Sequence, residues 1–265
     1  GLKRRLTHWL ASWALRRCDR VVVLTDGLRD LVIRRYRVAA ERVAVVPSGT
    51  DTGLFAPQDA ARCRHRLGLD PARDYIGFVG SFYRYQGLHC LLDAMAIVRR
   101  TRPSVHLLLV GDGEAAPELK QQAERLALTS CITWAGRIPY REVPAWIGAM
   151  TLCVAPFRGD RGETSPVKVF DYLACGRPVI ASAIPSVAAI FSAAAGVALV
   201  PPDDPVSLAE AVVALLDDRE RQSHMATQGR RFVEQNYSWT HLTTRLKEWL
   251  ATRQASIHHA HSPVL

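Results

Sequence analysis

The feature that most constrains this chain is a series of short, β-branched apolar runs separated by stretches of helical period. They are VVVLT (Val21–Thr25), VAVVP (Val43–Pro47), YIGFVG (Tyr75–Gly80), VHLLLVG (Val105–Gly111), CITWAG (Cys131–Gly136), TLCVAP (Thr151–Pro156), PVIAS (Pro178–Ser182) and GVALVP (Gly196–Pro201). A strand that is apolar on both sides must be covered on both sides, so such runs with helices between them predict a parallel sheet between two helical layers. The fold class is α/β. In an open parallel sheet, ligands bind beyond the carboxyl ends of the strands. The segments expected there are GSFYRYQG, GDGEAA, GRIPYRE and FRGDRGETSP, which bring glycines, bases and acids to one edge.

Composition narrows the function classes. Hydrophobic residues make up 48% of the 265 and charged residues 22%, which fits a folded globular chain and not a disordered one. The apolar runs are far shorter than the roughly 20 residues of a membrane-spanning helix. A formal charge of +9 suits a protein that meets anions. The basic residues do not interleave with aromatics as in an RNA-binding motif, so no nucleic-acid partner is expected. Cys18, Cys63, Cys90, Cys131, Cys153 and Cys175 form no CxxC pair and mostly lie in apolar stretches. That pattern reads as buried free thiols in a reducing compartment, hence a cytoplasmic protein, with the inner membrane face as a possible location. The chain begins at Gly1 and shows neither an apolar signal core nor a cleavage site, as a fragment or processed chain would. The tail with His258, His259 and His261 lacks periodicity and is expected to fray rather than bind metal.

The stretch GETSPVKVFDYLACGRPVIAS (Gly162–Ser182) holds Glu163 and Asp171 across a loop-to-helix junction. Ser165 followed by Pro166 reads as a helix start, with the hydroxyl as cap and proline at the first helical position, and Gly176 as the stop. Asp171 then lies about one and a half turns in, with Glu163 on the preceding loop. Free amides at such a helix start favour an anion. A diphosphate there, with one acid for each attached sugar, matches the layout of a nucleotide sugar.

This stretch resembles the signature of retaining GT-B glycosyltransferases of family 4, in which two acids with seven residues between them lie at a helix ahead of a G-x-P-V-x-A-S segment. VAVVPSGTDTGLFAP, FVGSFYRYQGLHCLLDA, LLLVGDGEAAPELK, ITWAGRIPYREVPAWI and GVALVPPDDPVSLAEAVVALLDD resemble further family segments in the family's order, from about Cys18 to Leu250. The resemblance implies a Rossmann-like parallel sheet, the family's C-terminal domain, over 58–237. It also implies a remnant of the N-terminal acceptor domain and hinge over 1–57 and a crossing helix and tail over 238–265. Glu163 is then the catalytic candidate, touching the transferred sugar, and Asp171 holds the ribose. Amides around Ser165, Pro166 and Val167 face the diphosphate, Arg137 and Ile138 lie against the base, and Gly111 sits near the nucleotide.

Two departures from the family pattern matter. Ser81 and Gln86 stand where many relatives carry Arg and Lys against the diphosphate, so Arg84, Arg158 or Lys168 is expected to supply the charge. The resemblance also implies that most of the acceptor half lies outside these residues, so the chain is expected to bind donor and transfer poorly. The implied partners are a nucleotide-sugar donor and a carbohydrate, lipid or small-molecule acceptor, with no cofactor and no metal.

Leu2, Leu6, Trp9, Leu10 and Trp13 share one face of a basic helix. Burial against the missing domain is expected for that face, and an anionic membrane is the alternative. A sugar epimerase or phosphorylase would share the same edge. GDGEAA fits a dinucleotide fingerprint but lacks the acid about 20 residues on. SPVK fits S-x-x-K without its companion motifs.

Overall fold

The computed structural model describes residues 2–162, 165–191 and 196–260; Glu163 and His261, and the side chains of His258 and His259, lie outside the described residues. The chain opens with α1 (Leu2–Arg17), β1 (Val21–Val23), α2 (Asp26–Tyr36) and β2 (Val43–Val45). After the turn-rich segment 47–57 come α3 (Ala60–Arg66), β3 (Tyr75–Val79), α4 (Leu88–Thr101), β4 (His106–Val110), α5 (Ala116–Arg125), β5 (Ile132–Gly136), α6 (Val143–Ala149) and β6 (Leu152–Ala155). Then follow α7 (Val167–Ala174), β7 (Val179–Ser182), α8 (Pro185–Phe191), β8 (Val197–Val200), α9 (Pro205–Asp217), α10 (Arg219–Asn236) and α11 (Trp239–Ala260). Each apolar run forms a strand. β1 and β2 pair in parallel by themselves, and the other strands form one parallel sheet in the order β5-β4-β3-β6-β7-β8.

Alternate residues of the large sheet feed two cores. Ile76, Phe78, Leu107, Leu109, Leu152, Val154 and Ile180 pack with α4, α5 and α9 on one side. Leu108, Val110, Cys153, Ala155, Val179 and Ala181 pack with α3, α6, α7 and α10 on the other. That two-sided burial is why the strands carry no polar alternation. Packing is tight enough that a Cβ on Gly77 would lie 1.9 Å from the Met150 sulfur. Cys63, Cys131, Cys153 and Cys175 are buried free thiols, whereas Cys18 is exposed.

The strand order places a topological switch between β3 and β6. The chain runs outward from β3 through β4 to β5, returns to β6 beside β3, and continues outward to β8. The loops after β3 and β6 therefore diverge and leave a crevice, the usual ligand position in open α/β sheets.

The turn-rich segment is clamped beneath this crevice. Arg230 of α10 donates to the carbonyls of Thr52, Phe55 and Ala174 and pairs with Glu234. Asp51 holds the turn itself, accepting from the amides of Gly53 and Leu54.

Helix α1 packs with its apolar side outward. Ser12 is buried and the His8 ring packs tilted against Tyr36, while Leu6, Trp9, Leu10 and Trp13 are exposed. No described helix is long and apolar enough to cross a membrane.

Candidate donor-binding site

Two adjoining cavities occupy the crevice and share Val79, Gly80 and Val143 as walls. The first, about 320 Å³, is lined by Gln86 from the loop after β3, Phe157, Arg161 and Ser165 from the loop after β6, and Lys168 and Asp171 from α7. The second, about 430 Å³, is lined by Ser81, Tyr83, Gly111, Asp112, Arg137 and Ile138.

Helix α7 sets the chemistry of the first cavity. Val169, Phe170, Tyr172, Leu173 and Ala174 bury its apolar face, which leaves Lys168 and Asp171, three apart and so on one side, toward the crevice. It ends where the Gly176 amide donates to Leu173 O and the Arg177 amide to Tyr172 O, a closure that needs the left-handed φ of 64° at Gly176.

The start of α7 differs from the sequence expectation. The helix begins at Val167, Pro166 holds the cap position, and no side chain caps it. Ser165 Oγ is buried without a hydrogen-bond partner, so Ser165 is not the cap. The Val167 amide donates to the Ser165 carbonyl at 3.0 Å, so it is occupied internally, and Pro166 has no amide to offer. The proline's ψ of 58° turns the chain away from a capped entry. Positive charge in this cavity therefore comes from side chains more than from helix amides.

Lys168 is half-buried in the cavity wall. Its Nζ donates to Gln86 Oε1 at 2.7 Å and sits 3.7 Å from the centre of the Phe78 ring. Burial, and then repulsion by Arg161, hold its pKa well below the ordinary lysine value. Arg161 donates to the same Gln86 oxygen at 3.0 Å and lies over the rings of Phe157 and Tyr85, at 4.3 and 4.8 Å. Two cations thus meet at one neutral oxygen. No carboxylate stands within salt-bridge distance of Lys168 among the described residues.

Asp171 faces this pair from one turn further along. Burial raises its pKa to about 6, against a lowering effect of the hydrogen bond that Thr50 Oγ1 donates to its Oδ1 at 2.5 Å. Tyr140, at the rim, has its phenol pushed up by burial and then by Asp171 and Asp51.

Of the three cations expected to replace the absent Arg and Lys, only Lys168 lines the cavity. Arg84 pairs with Glu118 of α5 at 2.5 Å and Arg158 with Asp160 of its own loop at 2.9 Å, both in exposed pairs. Ser81, Gly111, Arg137 and Ile138 line the second cavity. The glycines of GDGEAA have a packing reason: a Cβ on Gly111 would lie 2.0 Å from Gly80 O, and one on Gly113 2.6 Å from Phe82 O. In SPVK, Lys168 bonds Gln86 while Ser165 Oγ has no partner, so the pair is not arranged as base and nucleophile. Thr50, Arg161 and the acceptor role of Gln86 were not expected from the sequence.

With this geometry in hand, known proteins give the family. The family described as Glycosyl transferases group 1 matches residues 73–218, and Glycosyltransferase Family 4 matches residues 1–54. The chain belongs to the group 1 glycosyltransferases. D-inositol 3-phosphate glycosyltransferase of Segniliparus rotundus is 33% identical over 170 residues, covering 63% of this chain and 37% of that protein. The sucrose-phosphate synthase of Thermosynechococcus elongatus superposes with a TM-score of 0.81 at 24% identity, over 95% of this chain and 62% of its own. Anabaena HepE, solved with UDP and glucose, gives 0.79 at 21% identity, over 92% and 66%. These two share the GT-B fold with this group 1 chain. The chain spans about half the length of the curated relatives it matches.

Proposed function

We propose that this chain is the donor-binding half of a retaining glycosyltransferase whose crevice takes a nucleoside diphosphate sugar. The diphosphate lies on Lys168 and Arg161, the ribose on Asp171, and the base against Arg137 and Ile138. The observation that carries this reading is the ammonium of Lys168 in the cavity wall, which meets a neutral amide oxygen and a second cation. A charge held that way is costly until an anion joins it. A diphosphate supplies the anion, and charge-assisted bonds to it are the stronger kind.

Chemically, the bond between the sugar's anomeric carbon and the β-phosphate oxygen breaks, and negative charge grows on the leaving nucleoside diphosphate. Two cations fixed at one point stabilise that charge without reorganising, an electrostatic strategy that asks for no metal. Glu163 is assigned to the hydroxyls of the transferred sugar. The fold neighbour crystallised with UDP and glucose adds support for the donor class. The acceptor, a carbohydrate, lipid or small molecule, is not assigned to residues here, and slow transfer by this chain alone is expected.

A thermal-shift panel of UDP, GDP and ADP with their sugars tests the reading. One nucleotide should raise the melting temperature, with EDTA leaving the shift unchanged; at a hundredfold excess over Kd the stabilisation is about 2.7 kcal/mol. No shift with any of them would end the proposal.

The outward face of α1 favours a second, additional property. Trp9, Trp13, Leu6 and Leu10 are exposed beside basic residues, the composition of a peripheral contact with an anionic bilayer. Co-sedimentation with anionic but not neutral vesicles is the expected outcome.

A further inference from the structure

Thr50 is 121 residues from Asp171 in sequence and has no role in the site as drawn so far. It is 1% exposed, and all three of its polar groups are used. Its amide donates to Tyr237 O at 2.9 Å, and its carbonyl accepts from the Trp239 amide at 3.1 Å, forming a parallel bridge with Ser238 between α10 and α11. With the backbone pinned on both sides, only the hydroxyl can rotate, and it donates to Asp171 Oδ1 at 2.5 Å. Asp171 Oδ2 takes no hydrogen bond from a described residue, although Asp171 lines the first cavity.

We infer that Thr50 is a positioning residue for the donor: it fixes the Asp171 carboxylate so that its second oxygen accepts from a ribose hydroxyl. The inference rests on the donor reading above and adds to it. A rigid hydroxyl behind the short aspartate side chain limits its rotation. The same contact ties the ribose position to the turn-rich segment and to the junction of α10 with α11, so donor occupancy is felt where those elements meet.

The hydroxyl has a second effect. A donor to the ionised form favours that form, so Thr50 opposes the burial that pushes Asp171 up. The other groups that bear on Asp171 are Tyr140 across the cavity, Tyr172 and Cys175 on its own helix, and Lys168 one turn away. The phenols and the thiol have raised pKa values and stay neutral near pH 6. The nucleotide's own terminal phosphate also titrates near pH 6, so the shift of the acid limb between variants, and not the limb itself, reports Asp171.

The experiment is calorimetric titration of the described chain with whichever of UDP, GDP or ADP stabilises it, and with the 2′-deoxy and 3′-deoxy forms, from pH 5 to 8. The variants are Thr50→Val, Thr50→Ser, Asp171→Asn and the Thr50→Val/Asp171→Asn pair. Thr50→Val should weaken nucleotide binding about tenfold at pH 6.5, move the acid limb up by about one pH unit, and shrink discrimination against one deoxy form. Thr50→Ser should restore all three. In the Asp171→Asn background the valine should add little, whereas a merely structural role would lower affinity there too. If Thr50→Val does not fold, Thr50→Ala and Thr50→Ser carry the same comparison. Wild-type binding with an unmoved acid limb and unchanged deoxy discrimination in Thr50→Val would overturn the role of Thr50 alone. Failure of the wild-type chain to bind any of the three nucleotides would overturn the donor reading together with it.

Discussion

At the carboxyl edge of the sheet, Lys168 and Arg161 share one amide oxygen; at the amino edge, a hollow of about 390 Å³ is lined by Arg64, Arg177 and Arg219. By count of cations the amino-edge hollow is the more basic. Its arginines, however, are largely answered from within. Arg64 donates to Ala149 O, Pro71 O and Thr151 Oγ1, and Arg219 to both oxygens of Asp74 and to Gln222. Arg177 gives one nitrogen to Gln58 O, although its Nε is buried without a partner. These side chains staple loops together. Lys168, by contrast, has one neutral oxygen and the Phe78 ring as its partners, and an added anion offsets the cost of its charge. Unanswered charge marks a ligand site better than the number of charges does.

The largest expected effect breaks that contrast if it fails. Asp171→Asn should weaken nucleotide binding roughly 10- to 100-fold, the value of one hydrogen bond to a charged group, while stabilising the ligand-free fold by up to about 3 kcal/mol at pH 7, the value of moving a carboxyl from 3.8 to about 6. The sign follows from linkage: because the folded-state pKa is raised, the cost of Asp171 is absent below pH 4, builds between 4 and 6, and is constant above. Thermal melts of both proteins across that window check it, and the difference should vanish at the acid end.

Arg64→Ala should do the reverse. Losing a half-buried guanidinium with three bonds costs about 1–3 kcal/mol of stability and leaves nucleotide affinity as it was. Arg219→Ala should act in the same direction more weakly, within about 1 kcal/mol, because the Arg219–Asp74 pair is largely exposed. Urea melts paired with nucleotide titrations separate the two hollows.

The smallest effect sharpens the comparison through pH. Nucleotide affinity should rise as pH passes about 6, where Asp171 and the nucleotide's own terminal phosphate both ionise, and fall on the alkaline side below the ordinary lysine value, where Lys168 loses its proton; the part of the rise that is missing in Asp171→Asn belongs to Asp171. Titrations across this range should give a bell. A flat profile would leave neither group in contact with the ligand.

What could be read from the sequence follows the range of the interactions. The strands were legible because burial on both faces makes them wholly apolar, and each expected run contains its strand within two residues at either end. Lys168 and Asp171 were legible because one short helix carries both. Arg161 and Gln86 were not, since their meeting joins positions 75 apart, and Thr50 reaches across 121. No local pattern marks such pairs. Pro166 misled in another way: Ser-Pro is a good helix start by type, but here the proline takes the cap position and the serine hydroxyl faces no amide. Helix α1 shows the same limit, since its period gave the face with Trp9 and Trp13, yet period alone says nothing of what covers it.

The central claim is that the ammonium of Lys168 waits for a diphosphate. It is tested most directly by titrating wild type and Lys168→Met side by side with the preferred nucleoside diphosphate and with the matching nucleoside at pH 7. The variant should lose roughly 10- to 100-fold in affinity for the diphosphate, the value of one charge-assisted bond, and none for the nucleoside. Equal diphosphate affinity in the two proteins would contradict it.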